Sequence, residues 1–197
     1  MDKNIQERWE QFLDPEVLRP RLISAAIYIA GFESLKHAIV DHPRSFFARK
    51  FDKDGPRISP EYESEVLSLG KGAVYASLNF LKDKMKAIDA ADLESFDRVK
   101  HCRNRLSHSL LALLGSEGLP PDFEQCFHEM VALLHKIDAW WIINVEVPTN
   151  PDFDGQEIDE SGVQSGRVMG IRLLCDIALG DSQTSRFYYD HFRKQSP

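Results

Sequence analysis

Residues 22–39 carry the sequence feature that most constrains the fold of this chain. Apolar residues recur there at the three- and four-residue spacing of an α-helix and form two neighbouring strips. The first strip contains Leu22, Ala25, Ile29, Phe32 and Ile39, and the second contains Ile23, Ile27, Ala30 and Ala38. A helix with so wide an apolar surface needs cover from other elements. We therefore expect a central, buried helix that ends at His42 and Pro43, because proline disfavours helical geometry in the residue before it.

Two further regions follow this helix. The charged segment that contains residues 54–56 has the composition of a turn and predicts a loop. From Pro60 to about Ile88 the apolar residues again recur at helical spacing, which predicts a second helix. Gly70 and Gly72 interrupt that pattern, so we expect the helix to be kinked near them.

The next two helices complete the predicted bundle. Asp92 is the expected N-cap of a helix whose apolar face runs to Leu113, and glycines shortly after that residue end it. Pro120 and Pro121 suit the first turn of a further helix, whose apolar stripe extends to Trp141.

The C-terminal quarter of the chain differs in composition from the rest. Residues 147–166 are rich in Pro, Asp, Glu, Gly and Ser and predict an acidic loop or linker. Residues 167–197 predict a helix and tail too small to fold alone, so we expect them to pack on the helical domain formed by residues 1–146. Long strand alternation is missing from the sequence. We predict an all-α fold, an antiparallel bundle of about four to five helices with a short C-terminal helical appendage.

Charge and cysteine usage restrict the class of protein. A net charge of −7 argues against a protein that coats long DNA, so any nucleic-acid contact must be local. Cys102, Cys126 and Cys175 are too few and too scattered for a disulfide framework, which favours a reducing compartment. The N-terminus lacks the features of a secretory signal, and no stretch approaches 18 uninterrupted apolar residues. We expect a cytoplasmic protein with no membrane partner.

A basic segment stands out in this acidic chain. Residues 98–108 read RVKHCRNRLSH, with four cationic side chains and no carboxylate. On a helical wheel Asn104 and His108 lie opposite the buried face, whereas Arg103 lies near the edge of the apolar stripe. Arg103 and His108 are about 140° apart on an ideal helix. Their convergence therefore requires the arginine to wrap around the helix or a second chain to complete the site.

The string RNRLSH resembles the R-x4-6-H signature of the HEPN family, with Arg103 and His108 at its ends and Asn104 as the polar residue after the arginine. The resemblance covers residues 1 to about 145. It implies a homodimeric, metal-independent endoribonuclease whose two motifs form a cleft for single-stranded RNA. It also implies products with 2′,3′-cyclic phosphate and 5′-hydroxyl ends, with no cofactor and no metal site.

The resemblance assigns roles to particular side chains. His108 is the candidate acid or base, because imidazole takes both protonation states near neutral pH. Arg103 is the candidate that stabilises charge on the transition state. Asn104 either orients His108 or holds a phosphate oxygen. Three further cations could draw RNA toward the cleft or could belong to a solvated face: Arg98, Lys100 and Arg105.

Several alternatives remain open at this stage. The biological role implied by the resemblance is a toxin or an antiviral defence effector with an antitoxin or regulatory protein as its partner. The rival hypothesis is a non-catalytic helical module for nucleotide, RNA or protein binding and dimerisation. Trp140 and Trp141 favour packing over base stacking, since they end an apolar stripe. The basic and aromatic segment 46–57 fits RNA contact or ordinary packing.

Overall fold

The computed structural model describes residues 3–53 and 55–195, most of which are helical. In chain order the first elements are α1 (Lys3–Leu13), α2 (Pro15–Phe46), β1 (Ala48–Asp52), β2 (Gly55–Ile58), α3 (Glu61–Glu65) and α4 (Ala73–Asp83). The later elements are α5 (Ala90–Ala112), α6 (Phe123–Trp141), α7 (Val147–Thr149), α8 (Gly166–Leu179) and α9 (Ser182–Gln195). The prediction of an all-α antiparallel bundle is confirmed.

Helix α2 lies at the centre of the bundle and packs against α4, α5, α6 and α8. Its start is fixed by Asp14, whose side chain accepts a hydrogen bond from the backbone amide of Glu16. Tyr28 and Leu35 are fully buried, and the Phe32 ring stacks on Phe96 of α5 at 5.9 Å between centroids. The predicted central helix is therefore present, because most of its two apolar strips is covered from several sides, although Leu22 and Ala30 are exposed.

The predicted end of this helix is wrong. Helix α2 continues through His42 and Pro43 and ends at Phe46. Pro43 lies in the last turn, where its missing N–H removes a single helical hydrogen bond. The amide of Phe47 donates to the carbonyls of Arg44 and Ser45, which closes the turn beyond the proline. Buried contacts of His42 hold this turn in place, so tertiary packing outweighs the local preference.

The segment predicted as a loop forms a β-hairpin instead. Strands β1 and β2 pair antiparallel, with Ala48 opposite Ile58 and Asp52 opposite Gly55, and a bulge follows Ala48. Gly55 has φ of +108°, a conformation that favours glycine and allows the tight reversal. The predicted loop residue at position 54 lies outside the described residues.

The helix predicted over residues 60–88 is two helices rather than one kinked helix. After α3 and a 3₁₀ turn (Leu67–Leu69), the backbone is extended at Gly70 and adopts φ of +79° and ψ of 151° at Gly72. This last region is accessible to glycine almost alone, so the helix cannot run through it. The side-chain amide of Asn79 donates to the Leu69 carbonyl at 2.8 Å and fixes the break against α4.

Helix α5 begins one turn earlier than predicted. Its N-cap is Asp89, which accepts from the amides of Ala91 and Asp92. Asp92 is the third helical residue, and its carboxylate accepts from the Asp89 amide, which completes a capping box. The prediction of Asp92 as the N-cap was wrong. The sequence offers the same side chain at both positions and does not show which one caps the helix. Lys136 of α6 contacts both carboxylates.

The connection from α5 to α6 is irregular. Ser109 has non-helical backbone angles, and a π-helical turn (Leu113–Glu117) follows α5. Arg21 of α2 donates to two carbonyls of this turn, at 3.3 and 3.2 Å, and provides partners for backbone groups at the buried end of the helix. Helix α6 begins at Phe123, slightly later than Pro120 and Pro121 predicted.

The C-terminal helices differ in how deeply they are packed. Residues 147–166 contain short helical turns and irregular backbone, and Ser165 caps α8 through a hydrogen bond from the Val168 amide. Val168 and Ile171 belong to the main hydrophobic core. Helix α9 packs against α8 and is largely exposed.

One helix of the described residues, α2, is long and apolar enough to cross a membrane by length and composition alone. Core helices of water-soluble proteins pass the same test, which makes the finding weak evidence. Tyr28, Leu35 and Ile39 of α2 are fully enclosed by the neighbouring helices.

A buried polar network joins α2, α6 and α8. The Asp138 carboxylate accepts from His42 at 2.8 Å, from Ser165 at 2.6 Å and from Arg167 at 2.7 Å, and the His42 ring stacks on Trp141. Burial favours a higher pKa for Asp138, but the hydrogen bonds from His42 and Ser165 and the charge of Arg167 hold that pKa below its ordinary value. The aspartate stands between the serine and the histidine, so this is an anchor for α8 rather than a nucleophile–base arrangement.

We predict that Asp138→Asn lowers the free energy of unfolding at pH 7 by about 2 kcal/mol, because it weakens charge-assisted hydrogen bonds in a buried site. The folded-state pKa of Asp138 is depressed. Its stabilising contribution is therefore present above the unfolded pKa of about 3.9 and is lost as pH falls through the folded value.

Urea unfolding followed by circular dichroism from pH 7 to pH 3 measures this difference. The control is Asp154→Asn, which changes an exposed carboxylate and is expected to alter stability by less than about 0.5 kcal/mol. Equal stabilities for the two variants at pH 7 would show that the network does not hold α8.

Candidate functional site

Helix α5 carries the RNRLSH motif and presents three different surfaces. Cys102 and Leu106 are buried in the core, and His101 and His108 are exposed. Arg103 lies between these surfaces and points toward α2, as the edge of the apolar stripe required. The motif residues therefore enter different environments, although they follow one another in sequence.

Arg103 is held by groups from α2. Its Nη2 donates to Glu33 Oε1 at 3.0 Å, and the guanidinium lies over the Phe32 ring at 5.5 Å from the centroid. Nη1 is 3.4 Å from the side-chain oxygen of Asn104. The Nε–H is buried and has no acceptor among the described residues. The arginine is thus positioned, but its hydrogen-bonding capacity is incompletely used.

The pairing of Arg103 with Glu33 is only partly shielded from water. The arginine side chain is 30% exposed and the glutamate side chain 34%. Glu33 also contacts Lys36 at 2.5 Å, and hydrogen bonding to Lys36 is the main reason that the pKa of Glu33 lies below its ordinary value. A half-exposed pair of this kind contributes about 0–1 kcal/mol to stability. Glu33 is ionised at neutral pH, and its hold on the arginine is modest.

Arg103 and Asn104 line an open cleft of about 320 Å³ between α2, α5 and the start of α4. Four cationic side chains line it: Lys36, Lys71, Lys100 and Arg103. No carboxylate of the described residues lines it directly. Tyr75 lies in its wall, with Phe32 and Phe96 almost fully buried behind it. The cleft is therefore a local region of positive charge in a chain of net charge −7.

Lys100 is fixed within this cleft by Tyr75. Its ammonium donates to the tyrosine hydroxyl at 2.9 Å and lies 4.6 Å from the ring centroid. The hydroxyl in turn donates to Asp97 at 2.6 Å. The described residues place no carboxylate within ion-pair distance of Lys100, so its positive charge is oriented without being neutralised.

His108 lies one turn beyond Asn104 on the same side of α5. It is exposed, and no hydrogen bond of its ring is found in the described part of the chain. Arg103 and His108 make no direct contact with each other there. One chain therefore presents both groups but does not bring them together, as their separation of about 140° on an ideal helix predicts.

The structure does not place Arg98 and Arg105 in the cleft. Arg98 donates to both carboxylate oxygens of Glu129 on α6, and Arg105 donates to Asp122 at 3.0 Å. Both arginines help to align α5 with α6, which explains their seven-residue spacing on one side of the helix. Of the three predicted RNA-binding cations, Lys100 alone reaches the cleft, and an RNA-binding role for the other two stays a prediction.

The cysteines in and near the motif helix have protonated, unreactive thiols. Burial raises the pKa of the Cys102 thiol and raises that of Cys126 to about 11, so both are protonated at neutral pH. All three cysteines are free. The part of the chain that the structure describes contains no group of three or more possible metal ligands.

Trp140, Trp141 and Phe47 pack against other residues of the bundle. Trp141 is buried against His42, and Trp140 is partly buried at the edge of the core. Phe47 packs on Tyr62 and Phe80 in a small second core beneath the hairpin. These contacts show that packing explains Trp141 and Phe47 without a ligand.

Sequence reasoning missed Glu33, Lys36 and Lys71. Glu33 and Lys36 are two charges three residues apart within an otherwise apolar helix, and this exception was the available signal. Lys71 stands between Gly70 and Gly72, a pattern that exposes a side chain at a helix start. Only the packing of α2 and α4 against α5 shows that these residues share one cleft.

We predict that Arg103→Ala lowers the free energy of unfolding by about 1 kcal/mol, since it removes a half-exposed ion pair and one cation–π contact. Leu106→Ala is the comparison on the same helix. Leu106 is fully buried, and its truncation is expected to cost about 2–5 kcal/mol. Chemical denaturation of both variants measures the two values. A loss at Arg103 as large as that at Leu106 would mean that the arginine is a structural element of the core.

Comparison of the chain with protein-family models, with curated proteins and with solved structures found no match. The resemblance to the HEPN family therefore rests on the RNRLSH string and its place on α5.

Proposed function

We propose that the chain is a metal-independent endoribonuclease of HEPN type that cleaves single-stranded RNA. The observation that carries the proposal is the cleft in which Arg103 and Asn104 meet Lys36, Lys71 and Lys100. An RNA strand carries one negative charge per nucleotide, and an acidic protein can bind it only where cations are concentrated. Arg103 and Asn104 of the motif line such a place.

The chemistry assigned to the motif needs no metal-bound water. The ribose 2′-oxygen attacks the adjacent phosphorus, the bond from phosphorus to the 5′-oxygen breaks, and a 2′,3′-cyclic phosphate and a 5′-hydroxyl result. The 2′-oxygen loses a proton and the leaving oxygen gains one. The exposed imidazole of His108 acts in one of these transfers, as the base or as the acid. Arg103 stabilises the charge on the phosphoryl oxygens. Asn104, between them, orients the phosphate or the imidazole.

A homodimer is part of the proposal. One chain presents Arg103 to the cleft and His108 to solvent, one and a half turns apart along α5. In a twofold dimer, the same surface of a second copy faces the motif. The arginine of one protomer and the histidine of the other would then act on the same phosphate.

The cellular role follows from this activity and from the family resemblance alone. We propose a cytoplasmic toxin or antiviral defence effector that is held inactive by an antitoxin or regulatory protein. An unspecific ribonuclease is harmful to its own cell, so the activity has to be restrained until a signal releases it.

A second candidate function is a non-catalytic helical module that binds a nucleotide, RNA or a protein. One observation favours it. Arg103 already has a carboxylate partner, Glu33, in the free chain. In this case the cleft binds without cutting, and α5 serves dimerisation.

We predict that Arg103→Ala and His108→Ala each lower the cleavage of labelled single-stranded RNA in EDTA by about 100-fold or more, because each removes transition-state stabilisation or proton transfer. The products should carry cyclic phosphate ends, and 2′-deoxy substrate should remain intact. His101→Ala is the matched control. It removes an exposed histidine two turns earlier on the same side of α5 and should cleave like wild type. Unchanged cleavage by either motif variant would contradict the role assigned to that residue, and no cleavage by a folded dimer would favour the binding module.

We further predict that mixing the two inactive variants restores activity. If each site combines Arg103 of one protomer with His108 of the other, a mixed dimer has one intact site. Random exchange then recovers about one quarter of the wild-type rate. The measurement is cleavage after the two purified variants have exchanged subunits, with each variant alone as control. A mixture that stays inactive after proven exchange would place both residues of a site on one chain.

A further inference from the structure

Most of the residues that line the cleft lie outside the RNRLSH motif. They include Lys71, residues 72–75 at the start of α4, Lys36 on α2 and Lys100 on α5. Lys71 is exposed, and no ion pair of its ammonium is found within residues 3–53 and 55–195. The sequence motif does not account for these groups, so their presence in the same cleft needs a separate explanation.

The cations of the cleft that lie outside the motif are only partly paired with carboxylates of the described residues. Glu33 contacts Lys36 and Arg103, but it does not line the cleft. Lys71 and Lys100 have no carboxylate within ion-pair distance among the described residues, and Lys100 is held in place by Tyr75. Two positive charges therefore line the same cleft with no carboxylate partner among the described residues, and Tyr75 orients one of them.

The backbone at the start of α4 adds donors to these charges. The first amides of a helix have no partner within the helix, and Gly72 at the N-cap position provides no side-chain cap. The positive φ of Gly72 requires glycine, and the space beside its α-carbon is open. A ligand in the cleft can thus approach the backbone closely.

The size of the cleft distinguishes it from a site for a bare ion. Its volume of about 320 Å³ lies at the lower end of the range for pockets that hold small organic ligands. Tyr75 lies in its wall, with Phe32 and Phe96 almost fully buried behind it. The cations match a phosphate group, and the volume admits the organic group that carries it.

We propose that Lys71, Lys100 and the start of α4 form a phosphate-binding subsite. It holds the backbone phosphate of an RNA strand next to the phosphate at Arg103. The assignment to RNA rests on the proposed function, because the motif residues share the cleft. The subsite acts in binding and in setting the register of the strand, and it takes no part in the proton transfers.

The test measures binding separately from cleavage. The probe is a fluorescent single-stranded RNA with 2′-O-methyl groups, which cannot undergo the transesterification, and its anisotropy is followed over a series of salt concentrations. Lys71→Ala is compared with Lys84→Ala, which removes an exposed lysine at the other end of the same helix. Inorganic phosphate and adenosine monophosphate are titrated as competitors, to detect a site for free phosphate compounds.

We predict that Lys71→Ala weakens RNA binding about fivefold at low salt and reduces the slope of log K against log salt by about 0.7, as expected for one lost phosphate contact on a single strand. Lys84→Ala should match wild type. Where cleavage occurs, Lys71→Ala should raise KM with little change in kcat.

Three results would overturn the subsite. These are wild-type RNA binding by Lys71→Ala, equal weakening by both variants, or tight binding of adenosine monophosphate through Lys71 with RNA binding unaffected. RNA binding that depends on Lys71 in a protein that never cleaves RNA supports the subsite and contradicts the ribonuclease. If Lys71→Ala cleaves RNA with an unchanged KM, the ribonuclease is supported and the subsite is contradicted.

Discussion

The enclosure of α2 is the constraint on which the rest of the structure depends. Its apolar surface is buried where α4, α5, α6 and α8 pack around it. The fully buried Leu35 belongs to this surface, while Glu33 and Lys36 lie at its boundary with α5 and α4. Because these helices must meet at α2, the charges at the boundary meet there as well. The cleft beside Arg103 is thus a consequence of how the bundle closes.

Charge is distributed unevenly over α5 for the same reason. Arg98 and Arg105 face α6 and are paired with Glu129 and Asp122, which aligns the two helices. Lys100, on the other side, has a tyrosine hydroxyl as its partner. A single basic segment of sequence therefore divides into cations that stabilise the bundle and cations that remain available to an anion. The net charge of the chain does not distinguish these two groups, since it is a sum over all residues.

The sequence predicted the long helices, but not the hairpin, the break between α3 and α4, or the cleft. Apolar periodicity located α2, α5 and α6, because each must bury one side. Local rules failed at Pro43, where buried contacts of His42 keep the helix going, and at Asp92, where Asp89 offers an equivalent cap. The membership of Lys71 in the cleft could not be predicted, since it depends on how α4 is placed against α5. The HEPN resemblance predicted a role for Arg103 but could not show that Glu33 faces it.

The balance between Arg103 and Glu33 separates the two candidate functions in physical terms. Both side chains are about one third exposed, so their ion pair contributes at most about 1 kcal/mol. A phosphate that accepts two parallel hydrogen bonds from a guanidinium gains more than this, since charge-assisted bonds are worth about 1.5–3 kcal/mol. The carboxylate keeps its second partner, Lys36, when the arginine turns away. Glu33 therefore positions the arginine in the free chain without preventing it from binding a phosphate.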